Sequence, residues 1–118
     1  MAISITKDSF GHKQSKTYEI LCPGTYELCE DISFRPKENN VTAIVINSND
    51  VILNLNGKVL RQSSKRRRSQ VDGIIVVTGH QNVTILGSYG SIKNFSRRGI
   101  YVEGGNKYIS IGDNTLLT

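Results

Sequence analysis

The segment Ser63-Ser-Lys-Arg-Arg-Arg-Ser-Gln70 sets four cations, Lys65, Arg66, Arg67 and Arg68, on consecutive positions. Charges crowded in this way repel unless water or a counter-charge takes them up. A phosphate backbone does so with release of its condensed counterions, and the planar guanidinium fork suits phosphate oxygens. Arg97-Arg98 is a second basic group. Each group comes shortly before a glycine that opens an apolar run, Gly73 and Gly99. Lys58 and Arg61 lead into the first group and Lys93 into the second. Lys58, Arg61, Lys65, Arg66, Arg67, Arg68, Lys93, Arg97 and Arg98 are therefore the candidate nucleic-acid-binding residues, with contact expected through phosphates rather than base edges. Lys107 would extend the patch. Tyr89, Phe95 and Tyr101 lie nearby and would stack on unpaired bases if the ligand were single-stranded. The competing use of the cations is a solvated loop that keeps the protein soluble. A sulfated or acidic glycan, an anionic membrane surface and a localisation signal are further uses.

Charge is unevenly placed. The 118 residues carry a net +5. Residues 1–50 hold five Lys and Arg against seven Asp and Glu, whereas residues 51–118 hold ten against three. That asymmetry points one part of the surface toward polyanions.

Other chemistry is poorly supplied. Glycoside hydrolysis needs two carboxyl groups about 5–10 Å apart. Asp72, Glu103 and Asp113 do not fall at equivalent positions of the repeat described below, and they read as solvated turn carboxylates. His80, in Thr78-Gly-His-Gln-Asn82, reads as a corner residue. No phosphate loop, nucleophile elbow or metal-ligand spacing occurs. No catalytic residue, metal or cofactor is expected. Cys22 and Cys29 read as two half-buried thiols in a reducing compartment, with a small loop closed across Pro23-Gly24 as the alternative.

The elements that must position the cations are short. No segment has a 3.6-residue apolar period; three- to five-residue β-branched runs are separated by Gly, Asn, Asp and Ser. The runs return in sets of three. Ala43–Ile46, Val51–Leu55 and Gly57–Leu60 form one set. Gly73–Val76, Val83–Leu86 and Gly90–Ile92 form the next, and Gly99–Val102, Ile109–Ile111 and Thr115–Leu117 the last. Ile74 to Ile100 and Val83 to Ile109 are both 26 residues, and Ile44 to Ile74 is 30. The extra residues fall in the basic loop, 61–70. Three strands returning at a fixed period read as a triangular solenoid, with alternate residues stacked inward as apolar ladders. An antiparallel sandwich would not need that fixed return. The expectation is one all-β domain over 1–118, a right-handed parallel β-helix of about three coils with an N-terminal cap. Residues 1–40 supply the cap and an opening coil, and 41–118 the repeating coils. Ile3 and Ile5 would add a strand over the open end.

Tyr26-Glu-Leu, Glu30-Asp-Ile-Ser-Phe34, Ala43-Ile-Val-Ile46 and Asp50-Val-Ile-Leu-Asn-Leu-Asn-Gly-Lys58 resemble the right-handed parallel β-helix repeat proteins of the pectate-lyase-like superfamily. Short members occur in bacteria, large DNA viruses and their satellites. The resemblance covers residues from about Tyr18 to Leu117 and specifies fold well and function poorly. Polygalacturonase-like members carry Gly-His-Gly and Arg-Ile-Lys; here Gly79-His80-Gln81 and Ser91-Ile92-Lys93 stand instead, and the paired aspartates have no counterpart. The resemblance thus implies the fold without that activity. Similar β-helix fibres often form trimers, and the apolar end at Leu116-Leu117 favours self-association.

The leading expectation is a non-enzymatic, self-associating β-helix that binds polyanions, DNA first, with a homotrimer favoured. A truncated carbohydrate-active or glycan-binding β-helix is the alternative, and a structural fibre or assembly segment the third. No stretch of about 18 apolar residues offers a membrane span, and the start lacks an apolar signal core. The expected location is intracellular: the cytoplasm, or host cytoplasm or virion for a viral protein.

Overall fold

β-Branched residues and leucine at alternate positions give every strand one apolar side. The computed structural model describes residues 2–63, 70–112 and 116–117, and folds this pattern into a parallel β-solenoid. Strand β1 (Ile3–Ile5) is followed by two 3-10 turns, Lys7–Phe10 and His12–Gln14. The first coil is β2 (Tyr18–Ile20), β3 (Gly24–Leu28) and β4 (Ile32–Phe34). The second is β5 (Val41–Ile46), β6 (Val51–Asn54) and β7 (Val59–Gln62). The third is β8 (Val71–Val76), β9 (Gln81–Leu86) and β10 (Ser91–Lys93). The fourth is β11 (Ile100–Val102), β12 (Lys107–Ile111) and β13 (Leu116–Leu117). The opening segment thus supplies a whole coil in addition to its cap.

Equivalent strands of successive coils pair in parallel and build three sheets: β2-β5-β8-β11, β1-β3-β6-β9-β12 and β4-β7-β10-β13. Register stacks like on like. Ile20, Ile46, Val76 and Val102 form one ladder, and Tyr26, Leu53, Ile85 and Ile111 another. In the middle coils these side chains are fully buried, as expected from the alternation. In the fourth coil Ile100, Val102 and Ile109 are only half-buried, and Ile111 is 43% exposed, because no described coil lies above them.

The other end is closed. β1 pairs with β3, placing Ile5 opposite Leu28, and Ile5 is fully buried. The 3-10 turns drive Phe10 into the end of the core, where it packs against Tyr18 and Phe34. The strand was expected from Ile3 and Ile5; the turns and Phe10 were not.

Corners use residues that tolerate the left-handed region. Asn40, Asp50, Asn56, Asn82 and Asn94 all have φ between 56° and 64°. Two glycines are needed for a different reason, close approach between coils. A Cβ on Gly73 would lie 2.6 Å from the Gly99 carbonyl oxygen, and one on Gly90 would lie 2.7 Å from that of Lys58.

Candidate polyanion-binding face

In the sheet of β4, β7 and β10, alternation turns Ser33, Arg61 and Lys93 outward in a single row. Arg61 Nε donates to Ser33 Oγ at 2.9 Å. Lys93 is the direct register partner of Arg61. Adjacent strands lie about 4.8 Å apart, and like charges facing across them are destabilising. At about 5 Å the repulsion is about 0.8 kcal/mol in water and about 3 kcal/mol at an effective dielectric of about 20. Among the described residues ion pairs form only at Asp72, so neither cation is relieved by a carboxylate.

The row forms the floor of a groove of about 400 Å³. Two further cations line it, Lys7 from the first 3-10 turn and Arg35 beyond β4, together with one carboxylate, Asp31. Backbone bonds hold these residues there. Lys7 N donates to Glu30 Oε2 at 2.7 Å, Arg35 N to the Gln14 carbonyl at 2.8 Å, and Ser33 N to Gln14 Oε1 at 2.8 Å. Asp31 is itself engaged, accepting from Val59 N at 2.8 Å. Sequence reasoning found Arg61 and Lys93 but missed Lys7 and Arg35. Lys7 lies in the non-repeating cap, where the coil period gives no guide, and Arg35 directly follows β4 of the first coil.

The run Lys65–Arg68, with Ser64 and Ser69, lies outside the described residues. Its flanks are placed. Ser63 N donates to the Phe34 carbonyl at 2.9 Å, and Gln70 N to Asn39 Oδ1 at 3.2 Å. Arg97 reaches the same corner one coil on: its N donates to the Val71 carbonyl at 3.1 Å and its Nη1 to Gln70 Oε1 at 3.3 Å. Arg97 thus meets Gln70 and Val71 where the third coil begins. Lys58 does not join the groove. It is half-buried at the opposite end of β7, where its carbonyl accepts from Ser91 N at 3.0 Å. Lys107 opens β12 in another sheet, beside His80 and Asn49.

Arg97 and Arg98 are held by Asp72, which corrects the reading of that residue as a solvated turn carboxylate. The Asp72 side chain is fully buried. Arg97 donates through Nε (3.1 Å to Oδ1) and Nη2 (2.8 Å to Oδ2). Arg98 donates through its backbone N (3.0 Å), Nε (3.2 Å) and Nη2 (3.1 Å). Burial pushes the carboxyl pKa up, but hydrogen bonds and charge from the two arginines outweigh it and leave it below its usual value. The hydrogen bonds that the Arg98 side chain donates to Asp72 raise the Arg98 pKa. Both arginine side chains remain partly exposed, at 30% and 38%, but part of their charge is already matched inside the protein.

The aromatic residues divide. Phe95 is buried and unavailable for stacking. Tyr101 is 37% exposed, but Arg98 Cζ lies 3.7 Å from its ring centroid and covers one face. Tyr89 is 85% exposed at the corner between β9 and β10, away from the groove lining. His80 is a corner residue as read, with Nε2 2.7 Å from Asn47 Oδ1 and Nδ1 3.2 Å from Asn49 Oδ1. Cys22 and Cys29 are free and exposed rather than half-buried; they flank β3, whose extended residues hold them apart.

Fold and site together define a class: a parallel β-solenoid with an unneutralised basic row on one outer sheet. No known protein family, curated protein or solved structure matches the chain. No helix among the described residues is long and apolar enough to cross a membrane.

Proposed function

We propose that this solenoid is a non-enzymatic binding protein for polyanions, with DNA the first ligand, held through its backbone phosphates. The observation that carries the reading is the in-register pair Arg61–Lys93, two outward cations stacked without a carboxylate partner among the described residues. An anion laid across them relieves their repulsion, and among the described residues four groove cations face one acid. The basic run Lys65–Arg68 begins four residues beyond Arg61 in the sequence and raises the positive charge of this stretch of chain. The proposal extends to kinship with short β-helix repeat proteins, including those of DNA viruses and satellites, and to an intracellular location where DNA is present.

A gel shift at low salt tests it. Wild type shifts DNA and releases it steeply as salt rises. The slope of log K against log salt flattens by about 0.9 for each phosphate contact removed. An Arg61→Ala/Lys93→Ala variant and a Lys65/Arg66/Arg67/Arg68→Ala variant should both bind more weakly. Absence of any wild-type shift at low salt ends the proposal.

Self-association belongs to the same proposal. Among the described residues, Ile100, Val102 and Ile109 are half-buried and Ile111 is exposed in the fourth coil, while Ile5 and Phe10 are fully buried beneath the first. A second copy meeting end to end covers the fourth-coil side chains. Because the two ends differ, this contact closes as a pair; the expected trimer needs a lateral contact instead. Sedimentation distinguishes pair, trimer and monomer, and a monomer throughout the micromolar range removes this part. A glycan-binding reading draws on Tyr89 and Tyr108, exposed rings at positive φ (66° and 57°). Retention on a neutral polysaccharide would favour it.

A further inference from the structure

The groove has a chemistry narrower than that of a basic patch. Its lining is nearly all donors. Gln14 Oε1 is taken by Ser33 N, which leaves the Gln14 amide nitrogen as a donor. Arg61 Nε is taken by Ser33 Oγ, which fixes the plane of the guanidinium and leaves its two terminal nitrogens free among the described residues. Lys7, Arg35 and Lys93 add only donors. The one carboxylate among the described lining residues, Asp31, accepts from Val59 N through Oδ1. A ligand that fits such a lining offers mainly acceptors.

The cations are also ordered. Lys7 belongs to the cap, Arg35 follows the first-coil strand, Arg61 is in the second coil and Lys93 in the third. With coils about 4.8 Å apart, Arg61 and Lys93 stack in register along the solenoid axis, and Arg35 follows two residues past their register partner Ser33. Four cations against one acid leave an excess that a single diester phosphate, with one charge, does not balance. No aromatic residue lines the groove, so nothing there stacks on a base.

From these placements we infer that the groove is a discrete subsite for a run of consecutive phosphates laid along the solenoid axis. The inference rests on the polyanion reading and deepens it. The shared ligand chemistry is a chain of phosphate groups, which inorganic polyphosphate and a nucleic-acid strand with its bases turned outward both present. Arg61 is the central contact, oriented by Ser33 for two-pronged recognition of phosphate oxygens.

Calorimetric titration of the full chain with tripolyphosphate, orthophosphate and single-stranded DNA at low ionic strength tests the inference. Tripolyphosphate should bind saturably, one per chain, at least tenfold more tightly than orthophosphate, and should displace DNA. Arg61→Ala should weaken tripolyphosphate at least tenfold. Arg61→Lys should recover only part of that loss, because it restores charge without the fork. Circular dichroism of each variant checks that it folds, and Lys93→Ala, at a separate strand, repeats the test if Arg61 variants do not. DNA binding without tripolyphosphate binding, or equal affinity for orthophosphate, overturns the subsite and leaves the wider reading standing. Tripolyphosphate binding that DNA does not share keeps the subsite and assigns it to inorganic chains, ending the DNA reading. Binding of neither ends both.

Discussion

Two basic pairs lie near each other on this solenoid and differ in what faces them. Arg97 and Arg98 converge on Asp72, a buried carboxylate that receives hydrogen bonds from both side chains and one backbone N–H. Arg61 and Lys93 form no ion pair among the described residues, although Asp31 lines the same groove; the one side-chain partner, that of Arg61, is the neutral hydroxyl of Ser33. In the sequence all four read alike, as cations near the start or end of a strand. Register separates them. The first pair fastens the third coil to the fourth, and the second pair presents charge outward.

The largest expected effect follows from the fastened pair. Asp72→Ala removes the acceptor of every one of those bonds and strands two arginines, although both can turn toward water. The cost should be about 3 kcal/mol, the low end for breaking a buried pair, read as a lower urea midpoint. Arg61→Ala should stay within about 0.5 kcal/mol, as for surface changes that break no buried contact. If the two variants unfold at the same midpoint, the distinction between fastening and presenting fails. Gly73→Ala, beside Asp72, should also destabilise, by about 1–3 kcal/mol. Its new Cβ would meet the Gly99 carbonyl oxygen at 2.6 Å and Ile92 Cγ2 at 2.9 Å.

Acid should dissolve the fastened pair selectively. The folded Asp72 pKa is depressed, with burial opposing and the two arginines dominating. A depressed carboxylate adds stability that is complete above its unfolded pKa, about 3.9, and is lost as pH falls through the lower folded value. Wild type should therefore exceed Asp72→Asn in stability at neutral pH, and the gap should close below about pH 4. Urea melts of both proteins across that range check the sign. A gap that widens toward acid would show that Asp72 is not held as a carboxylate.

The sequence showed most of the solenoid and little of this contrast, for one physical reason. Apolar residues that stack inward must recur at the coil spacing, so Ile74–Ile100 and Val83–Ile109 exposed the period directly. The same period also places Arg98 opposite Asp72, 26 residues away, and Arg97 at 25. Read only as charge beside a turn, Asp72 looked solvated; read at the coil period, its partners were visible. The cap obeys no period. Its seven 3-10 residues are too few for a helical pattern, so Phe10 inside the core and Lys7 at the groove had no signal to carry them. Lys65–Arg68 was the loudest feature in the sequence, and it lies outside the described residues.

Binding should separate the two pairs a second time. Arg61→Ala and Lys93→Ala should each flatten the salt dependence of DNA binding by about 0.9. Arg97→Ala should flatten it less, because part of its charge is already matched by Asp72. Equal losses at all three positions would mean that DNA draws Arg97 away from Asp72, and that fastening and presenting are states of one set of residues.

The smallest effect expected is at Ser33. Its backbone N–H holds Gln14, and its hydroxyl holds Arg61 Nε at 2.9 Å. Ser33→Ala keeps the first bond and removes the second. The freed Nε is near the surface and takes water, so stability should change by no more than about 0.5 kcal/mol. Affinity for tripolyphosphate should still fall, roughly two- to threefold, because Arg61 must then be ordered at the moment of binding. A hydroxyl with no charge of its own can affect anion binding only through the arginine it orients. The loss should therefore vanish in an Arg61→Ala background. If Ser33→Ala costs as much there as in wild type, the hydroxyl meets the anion itself and Arg61 is not pre-oriented by it.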